Sequence, residues 1–381
     1  MRTATAYFRK HTFTIALVAI LLGIAFSAGW WTNELGGDPN QRLVESAYET
    51  VAGQSIFNRQ TGTELAYAAV RGMLATLDDP YAELIEPEAA KNLVSTFNGQ
   101  MGVVGLYAEN KDRRVVVSIV FPGGAAEAAG LKPGDEILAI DGTPLDQASD
   151  SSETGLLLRG APGSRVQITA RRGEEVLEFA LVRKEQQFVS WKMLADGVGY
   201  IALSAYNQTA SQQMQRALEE LLQQQPQALV WDLRNNEGGD MQAAQQILSY
   251  FIEDGLLFTA ELTGGRSMAF EAKGGALAPD LPLVVLVDHT TYSAAETSAA
   301  AVAKTGRGKT VGQTTYGKGV IQATMPLPGD TMLQMTVARW LAPDGAWYHE
   351  KGVPPMIAVQ DDPATEADEI LEKALHTLRE P

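Results

Sequence analysis

The chain is 381 residues long, 45% hydrophobic and 20% charged, with a formal net charge of −16. That length exceeds one hydrophobic core and predicts two or three domains, and so acidic a chain lacks the basic footprint that nucleic-acid binding needs. It has no cysteine, which excludes disulfides, thiolate zinc sites and thiol nucleophiles; His11, His289, His349 and His376 show no metal-ligand spacing.

Arg2, Arg9 and Lys10 precede an uncharged run from Thr12 to Asn33. Phe13 to Trp31 reaches the ~20 apolar residues that cross a bilayer, and Trp30 and Trp31 fall where interfacial aromatics anchor such a helix. The cations predict a cytoplasmic tip and a single-pass anchor within 1–33, with everything beyond outside the cytoplasm, periplasmic or extracellular. A cleaved signal peptide and a secreted remainder is the other reading, although Phe26 two residues before Ala28 makes a poor cleavage site.

Gly36 to Asn40 reads as a linker. Within 34–96, apolar residues recur at helical spacing, as at Leu65, Ala69, Met73, Leu74 and Leu77, which predicts two or three packed helices. Leu77 to Tyr81 stops one helix at Pro80, and Glu86-Pro87 starts the next.

From 97 to 187 the pattern changes to strands at 115–120, 136–141, 165–169 and 176–182, with short helices at 125–129 and 151–158. The run from Gly123 to Gly142, Gly-Gly-Ala-Ala-Glu-Ala-Ala-Gly-Leu-Lys-Pro-Gly-Asp-Glu-Ile-Leu-Ala-Ile-Asp-Gly, resembles a PDZ domain. Such a domain adds an extended peptide to a sheet edge and holds its terminal carboxylate on backbone N–H groups. Gly102-Val103-Val104-Gly105-Leu106 is the candidate carboxylate loop, its glycines letting amides converge on an anion. An ordinary glycine turn is the other reading of those five residues.

Between 188 and 360 strands alternate with helices: strand 199–203, helix 209–225, strand 228–233, helix 242–251 and strand 283–287. This predicts a mainly parallel sheet with ligand chemistry at the strand C-terminal ends. Strands at 320–325 and 331–340, without helices between them, predict that the sheet is mixed. A closing helix falls in 361–381.

Two turns at such strand ends carry chemistry-bearing residues. Arg234 to Asp240 contains the pair Gly238-Gly239, and Ser293 follows a sharp turn and opens an alanine-rich helix. Ser293-Ala-Ala-Glu296 also spells a capping box, in which the hydroxyl simply serves the first-turn amides. As a nucleophile, Ser293 would sit beside a helix N-terminus suited to a developing oxyanion. The Ala294 amide and the glycine pair offer N–H donors to it. A serine nucleophile needs a base. His289 is only four residues upstream, and no G-x-S-x-G elbow surrounds the serine. Lys304 lies at the far end of the helix, roughly 15 Å away at ~1.5 Å per residue. Gly317-Lys318-Gly319 is the better candidate: a lysine takes a proton once its pKa, ordinarily about 10.4, is lowered by burial or nearby positive charge. If the chain beyond it is extended, Gln322 shares the lysine's face and its amide can orient the amine without adding charge. Gly312 to Lys318 also fits the start of a phosphate-binding loop, but Gly319 replaces the metal-holding hydroxyl and a strand follows instead of a helix.

Together these residues resemble the C-terminal processing peptidases, tail-specific serine proteases of the serine–lysine type. The resemblance rests on Gly72 to Asp78, the PDZ stretch, Asp232 to Gly239, Ser293 to Glu296, Tyr316 to Gly319, Gln322 and Gly352 to Pro355. It implies an α+β multidomain fold: a membrane helix, a small helical region (34–96), a PDZ domain (97–187), a mixed α/β, βαβ-containing, crotonase-like protease core (188–360) and a C-terminal helix (361–381). It also implies Ser293 as nucleophile, Lys318 as general base, Gln322 as its orienting residue, and Gly239 and Ala294 around the oxyanion. The activity implied is endoproteolysis of protein substrates near apolar C-terminal tails bound by the PDZ domain, with no cofactor and no metal; a homo-oligomer is left open. The chain departs from the family pattern at Tyr292 before the nucleophile, at Glu237 where proline usually precedes the glycine pair, and at Met356 after Pro355. A non-catalytic tail-binding scaffold on the same fold is the alternative, against which the intact Ser293, Lys318 and Gln322 speak.

Overall fold

The computed structural model describes residues 38–97, 102–111, 114–120, 124–145, 151–361, 365 and 367–379. The expected membrane span, Phe13 to Trp31, lies outside them; among the described residues no helix is long and apolar enough to cross a bilayer. The chain divides between Pro80 and Tyr81 into two compact units. In the first, α1 (Pro39–Gln54) and α2 (Gly62–Leu74) pack together. Thr61 and Glu64 cap α2 reciprocally, Thr61 N–H donating to the Glu64 carboxylate at 2.7 Å and Glu64 N–H to Thr61 Oγ1 at 3.2 Å, which answers two of the helix's orphan amides.

The second unit opens with β1 (Glu83–Ile85) and α3 (Pro87–Phe97). The segment from Tyr81 onward, which the sequence grouped with the N-terminal helices, thus joins the unit that carries the site. Next come β2 (Gly102–Val103), β3 (Leu106–Lys111), β4 (Arg114–Val120), α4 (Ala125–Ala129), β5 (Glu136–Ile140), β6 (Thr143–Pro144), α5 (Ser151–Leu158), β7 (Arg165–Arg172), β8 (Glu175–Val182) and β9 (Lys184–Glu185). Their main sheet has the order β3-β4-β5-β7-β8, so β3 is an edge, and α5 packs against it. Along β7, Val166, Ile168 and Ala170 are buried while the residues between them face outward, the two-residue period of a half-buried strand. β3 was not expected: of Leu106 to Lys111 only Ala108 is buried, too faint an alternation to read.

The remaining elements are β10 (Val189–Met193), β11 (Val198–Leu203), α6 (Gln208–Gln223), β12 (Ala228–Asp232), α7 (Met241–Leu248), β13 (Leu256–Leu262), β14 (Ser267–Glu271), β15 (Leu283–Val287), α8 (Ala294–Lys304), β16 (Lys309–Gly312), β17 (Val320–Leu327), β18 (Thr331–Leu341), β19 (Ile357–Ala358) and α9 (Glu369–Arg379). The central sheet runs β10-β11-β12-β15-β16-β19, parallel except for β10 against β11. Both faces are covered, which is why β12 and β15 read as unbroken apolar runs. Leu229, Trp231, Val285 and Val287 join the core formed with α6, α7 and α8. Val230, Val284 and Leu286 join the one formed with α9. β17 and β18 do not make this sheet mixed, as their helix-free spacing suggested; with β1, β13 and β14 they form a separate antiparallel sheet. The long β17–β18 hairpin satisfies its own ladder and so needs no place in the parallel sheet.

Candidate active site

The loops that follow β12, β15 and β16 meet at the C-terminal ends of these parallel strands. Tyr292 N–H donates to the Asn236 carbonyl at 2.9 Å, Tyr316 N–H to the Thr291 carbonyl at 3.0 Å, and Thr291 Oγ1 to the Leu233 carbonyl at 2.9 Å. Three stretches far apart in sequence are thereby laced into one surface. Ser293, Lys318 and Gly239 all lie on it.

Ser293 has φ 55° and ψ −115°, a conformation that side chains with a Cβ rarely adopt and that stores about 1–3 kcal/mol. An N-cap residue ordinarily sits in the extended region. Capping and strain therefore coexist here: Glu296 does accept the Ser293 N–H, at 2.8 Å, while the serine is turned as a strand-to-helix nucleophile is turned.

Glu296 does more than cap. Its side chain is fully buried. Oε1 accepts from Thr315 Oγ1 and from Gly317 N–H, each at 2.6 Å, and Oε2 accepts from Ser293 N–H and Lys318 N–H, each at 2.8 Å. One carboxylate oxygen thus holds the backbones of both Ser293 and Lys318, keeping their nitrogens within the sum of two hydrogen bonds. Burial pushes the Glu296 carboxyl above its ordinary range, and the four donors pull against that.

The rest of the Lys318 turn is fixed as firmly. Trp340 Nε1 donates to the Lys318 carbonyl at 2.8 Å, Trp347 Nε1 to the Gly319 carbonyl at 2.8 Å, and Gly319 N–H to His349 Nδ1 at 3.2 Å. The glycine flanks are needed: a Cβ on Gly319 would lie 2.6 Å from Trp347 Nε1, and one on Gly317, at φ +101°, 2.9 Å from the Gly352 nitrogen. Lys318 itself is half-buried. Its Nζ lies 4.6 Å from the ring centre of Tyr81 and 4.8 Å from that of Tyr292.

The glycine pair divides its duties. Gly238 abuts the serine, since a Cβ there would come within 2.8 Å of both Ala294 N and Ser293 Cβ. Its own N–H, however, is committed to Asn236 Oδ1 at 2.8 Å. Gly239 is exposed at φ +138° and bridges to Tyr206 through its neighbours' bonds, Tyr206 N–H to the Gly238 carbonyl and Asp240 N–H to the Tyr206 carbonyl. That leaves the Gly239 N–H and the first-turn N–H of Ala294 as the donors an oxyanion could use. Gln322 donates from Nε2 to Thr336 Oγ1 at 3.1 Å across β17 and β18. The alternation that paired it with Lys318 does not extend that far, because β17 begins only at Val320.

The five residues of the candidate carboxylate loop are split. Gly102 and Gly160 exchange both backbone bonds, so the Gly102 amide is not open to a ligand, and Val103 pairs with Lys184. The Val104 carbonyl accepts from Ala126 N–H at 2.8 Å. Gly105, at φ +75°, passes so close to Gly124 that a Cβ would lie 2.8 Å from its Cα, and Leu106 opens the edge strand β3.

Residues 197–359 match the peptidase family S41 and residues 102–182 the PDZ domain family. The carboxyl-terminal-processing protease of Synechocystis sp. is 34% identical over 98% of this chain and 90% of its own length. The chain belongs to the carboxyl-terminal processing proteases. The carboxy-terminal processing protease CtpB of Bacillus subtilis is 31% identical over 83% of this chain and 67% of its own length. The photosystem II D1 C-terminal processing protease shares the fold with a TM-score of 0.54 at 28% identity, covering 89% of this chain and 97% of that one. As a carboxyl-terminal processing protease the chain is a serine peptidase with a PDZ domain, and its substrates are proteins.

Within this processing protease, three contributions escaped the sequence. Glu296 was legible only as the far end of a capping box, and Asn236, fully buried, only as one letter of a turn. Asn236 Nδ2 donates to the Leu203 carbonyl at 2.7 Å while its Oδ1 holds Gly238. An asparagine two residues before a glycine pair in a loop is the sort of residue that could have been singled out. Tyr81 gave no signal at all.

Proposed function

We propose that this chain cleaves protein substrates near their C-termini by acyl transfer, with Ser293 as nucleophile and Lys318 as general base. The observation that carries the reading is the shared Glu296 oxygen, which binds the backbones of both residues. Ser293 Oγ would attack the scissile carbonyl while the neutral Lys318 amine takes its proton. The oxyanion accepts from Gly239 N–H and Ala294 N–H beside the N-terminus of α8. Collapse expels the C-terminal fragment as an amine protonated by Lys318. Water, again deprotonated by Lys318, then frees the N-terminal fragment from the serine ester. Gln322 would orient the lysine amine through its Oε1, its Nε2 being bonded to Thr336 Oγ1.

The PDZ domain would bind the substrate's apolar tail as an added strand on β3 beside α5, with its carboxylate at Val104 to Leu106, a mode supported by the open sheet edge. The uncharged run to Asn33 would tether the enzyme to the membrane with the protease outside the cytoplasm. Accessibility of the core to added protease in intact cells, and N-terminal sequencing of the mature chain, test that arrangement against a secreted form.

The decisive experiment incubates wild type, Ser293→Ala and Lys318→Ala with an unfolded protein bearing an apolar C-terminus and reads the products by mass spectrometry. Cleavage by wild type alone is expected. Equal cleavage by Lys318→Ala would remove the lysine from the mechanism. Tail binding without cleavage in all three would establish the scaffold reading instead.

A further inference from the structure

We propose that Tyr81 and Tyr292 form an aromatic clamp that holds Lys318 as its ammonium in the resting enzyme, so that parting the rings switches the base on. The inference rests on Lys318 being the base and names how that base is held off. Nζ faces two rings at once, at 4.6 Å and 4.8 Å. A cation over a ring face is attracted by the ring quadrupole, whereas a neutral amine is not; two such faces therefore favour the protonated form that cannot accept the serine proton. When the rings part, the ammonium loses that stabilisation and releases its proton to water at a lower pH than before.

The rings come from different parts of the chain. Tyr292 immediately precedes Ser293 and is braced edge-on by Tyr316, at 4.6 Å and 66°. Its phenol is pushed up by burial and by the neighbouring Tyr81, so it presents a neutral ring. Tyr81 arrives from outside the three catalytic loops. It sits two residues before β1, a strand of only three residues laid antiparallel on β18. Moving Tyr81 therefore involves a short edge pairing and the Gln334 Nε2 contact to its carbonyl. The Glu296 bonds that hold the Ser293 and Lys318 backbones can stay intact throughout. This also gives a role to Tyr292, the bulky departure from the family's usual residue before the nucleophile.

The titratable groups around the lysine are Tyr81 ahead of β1, Tyr292 and Glu296 at the start of α8, Tyr316 on the lysine's own loop, and His349 with exposed Glu350 and Lys351 on the turn packed against Gly317 and Gly319. Both clamp rings face Nζ with a π surface, so each leucine variant removes one of these faces.

The test uses the full chain carrying Tyr81→Leu or Tyr292→Leu, with Tyr81→Phe and Tyr292→Phe as the conservative pair. The acid limb of the kcat/KM profile should move to lower pH by about half to one and a half pH units in each leucine variant, the size expected of one cation–π contact. On that limb the rate rises about threefold or more. The phenylalanine variants keep the ring face and should keep the wild-type limb. The lysine is read independently of turnover from its 13Cε resonance, assigned by its loss in Lys318→Ala, whose titration midpoint should fall with the limb. Unchanged midpoints in both leucine variants, or equal shifts in the phenylalanine variants, would overturn the clamp while leaving the serine–lysine reading untouched. Wild-type cleavage by Lys318→Ala would overturn that reading and the switch with it, whatever the resonance does.

Discussion

Glu296→Gln is the substitution that probes the site most directly. The carboxylate is fully buried and meets four donors, three backbone N–H groups and the Thr315 hydroxyl. Glutamine offers one carbonyl oxygen, enough for two of them, and turns an NH2 group toward the other two. Each stranded buried donor costs about 1–3 kcal/mol, so the variant should lose roughly 2–6 kcal/mol, a large share of the ~5–15 kcal/mol that holds a typical domain. The same change releases the backbones of Ser293 and Lys318 from one another, and a ~1 Å misplacement of reacting groups costs on the order of 100-fold. Urea denaturation followed through the buried indoles of Trp231 and Trp340, together with kcat/KM on a tailed substrate, reads both losses. An unchanged midpoint with kcat/KM within about threefold of wild type would refute the view that this carboxylate assembles the site.

Ser293→Gly should abolish cleavage yet stabilise the fold by about 1 kcal/mol, because glycine accepts φ 55° without strain; denaturation of Ser293→Ala, which keeps the strain, is the comparison. Gly238→Ala drives a methyl group to 2.6 Å from the Tyr292 carbonyl at φ +81°, and a fall in kcat/KM of about 100-fold or more is expected from steady-state kinetics. Arg234→Met strips the guanidinium from Asp232, which is only 5% exposed, and should cost about 3–5 kcal/mol in urea denaturation, part of it recovered in the double variant with Asp232→Asn. In the PDZ domain, burial works to raise the Asp135 carboxyl, but the Arg172 guanidinium and the Lys132 N–H outweigh it and hold it below its ordinary 3.8. A depressed carboxyl contributes stability above its unfolded value and loses it as pH falls through the folded one. Asp135→Asn should therefore melt below wild type at pH 7, with the gap closing below about pH 4; equal gaps at both pH values would exclude the ion pair as the cause.

Much of the architecture could be read from local pattern. The unbroken apolar runs of β12 and β15 announced buried strands, and the glycines on either side of Lys318 stand where Gly352, Trp347 and His349 come close. β13 and β14 went unseen because their residues alternate weakly. β17 and β18 were found but assigned to the wrong sheet, since a strand's period says which face is buried and not which neighbour it pairs with.

By itself the sequence determined which side chains were available for chemistry and at which strand ends they would emerge, because hydrophobic period and turn residues act over a few positions of chain. Only the tertiary structure decided that Glu296 would join Ser293 to Lys318, that Asn236 would take the amide of Gly238 and leave that of Gly239, and that Tyr81 would lie over the lysine. Each of these contacts closes a loop of many residues, and such a contact is selected by the packing of the whole core, which no local stretch of sequence encodes.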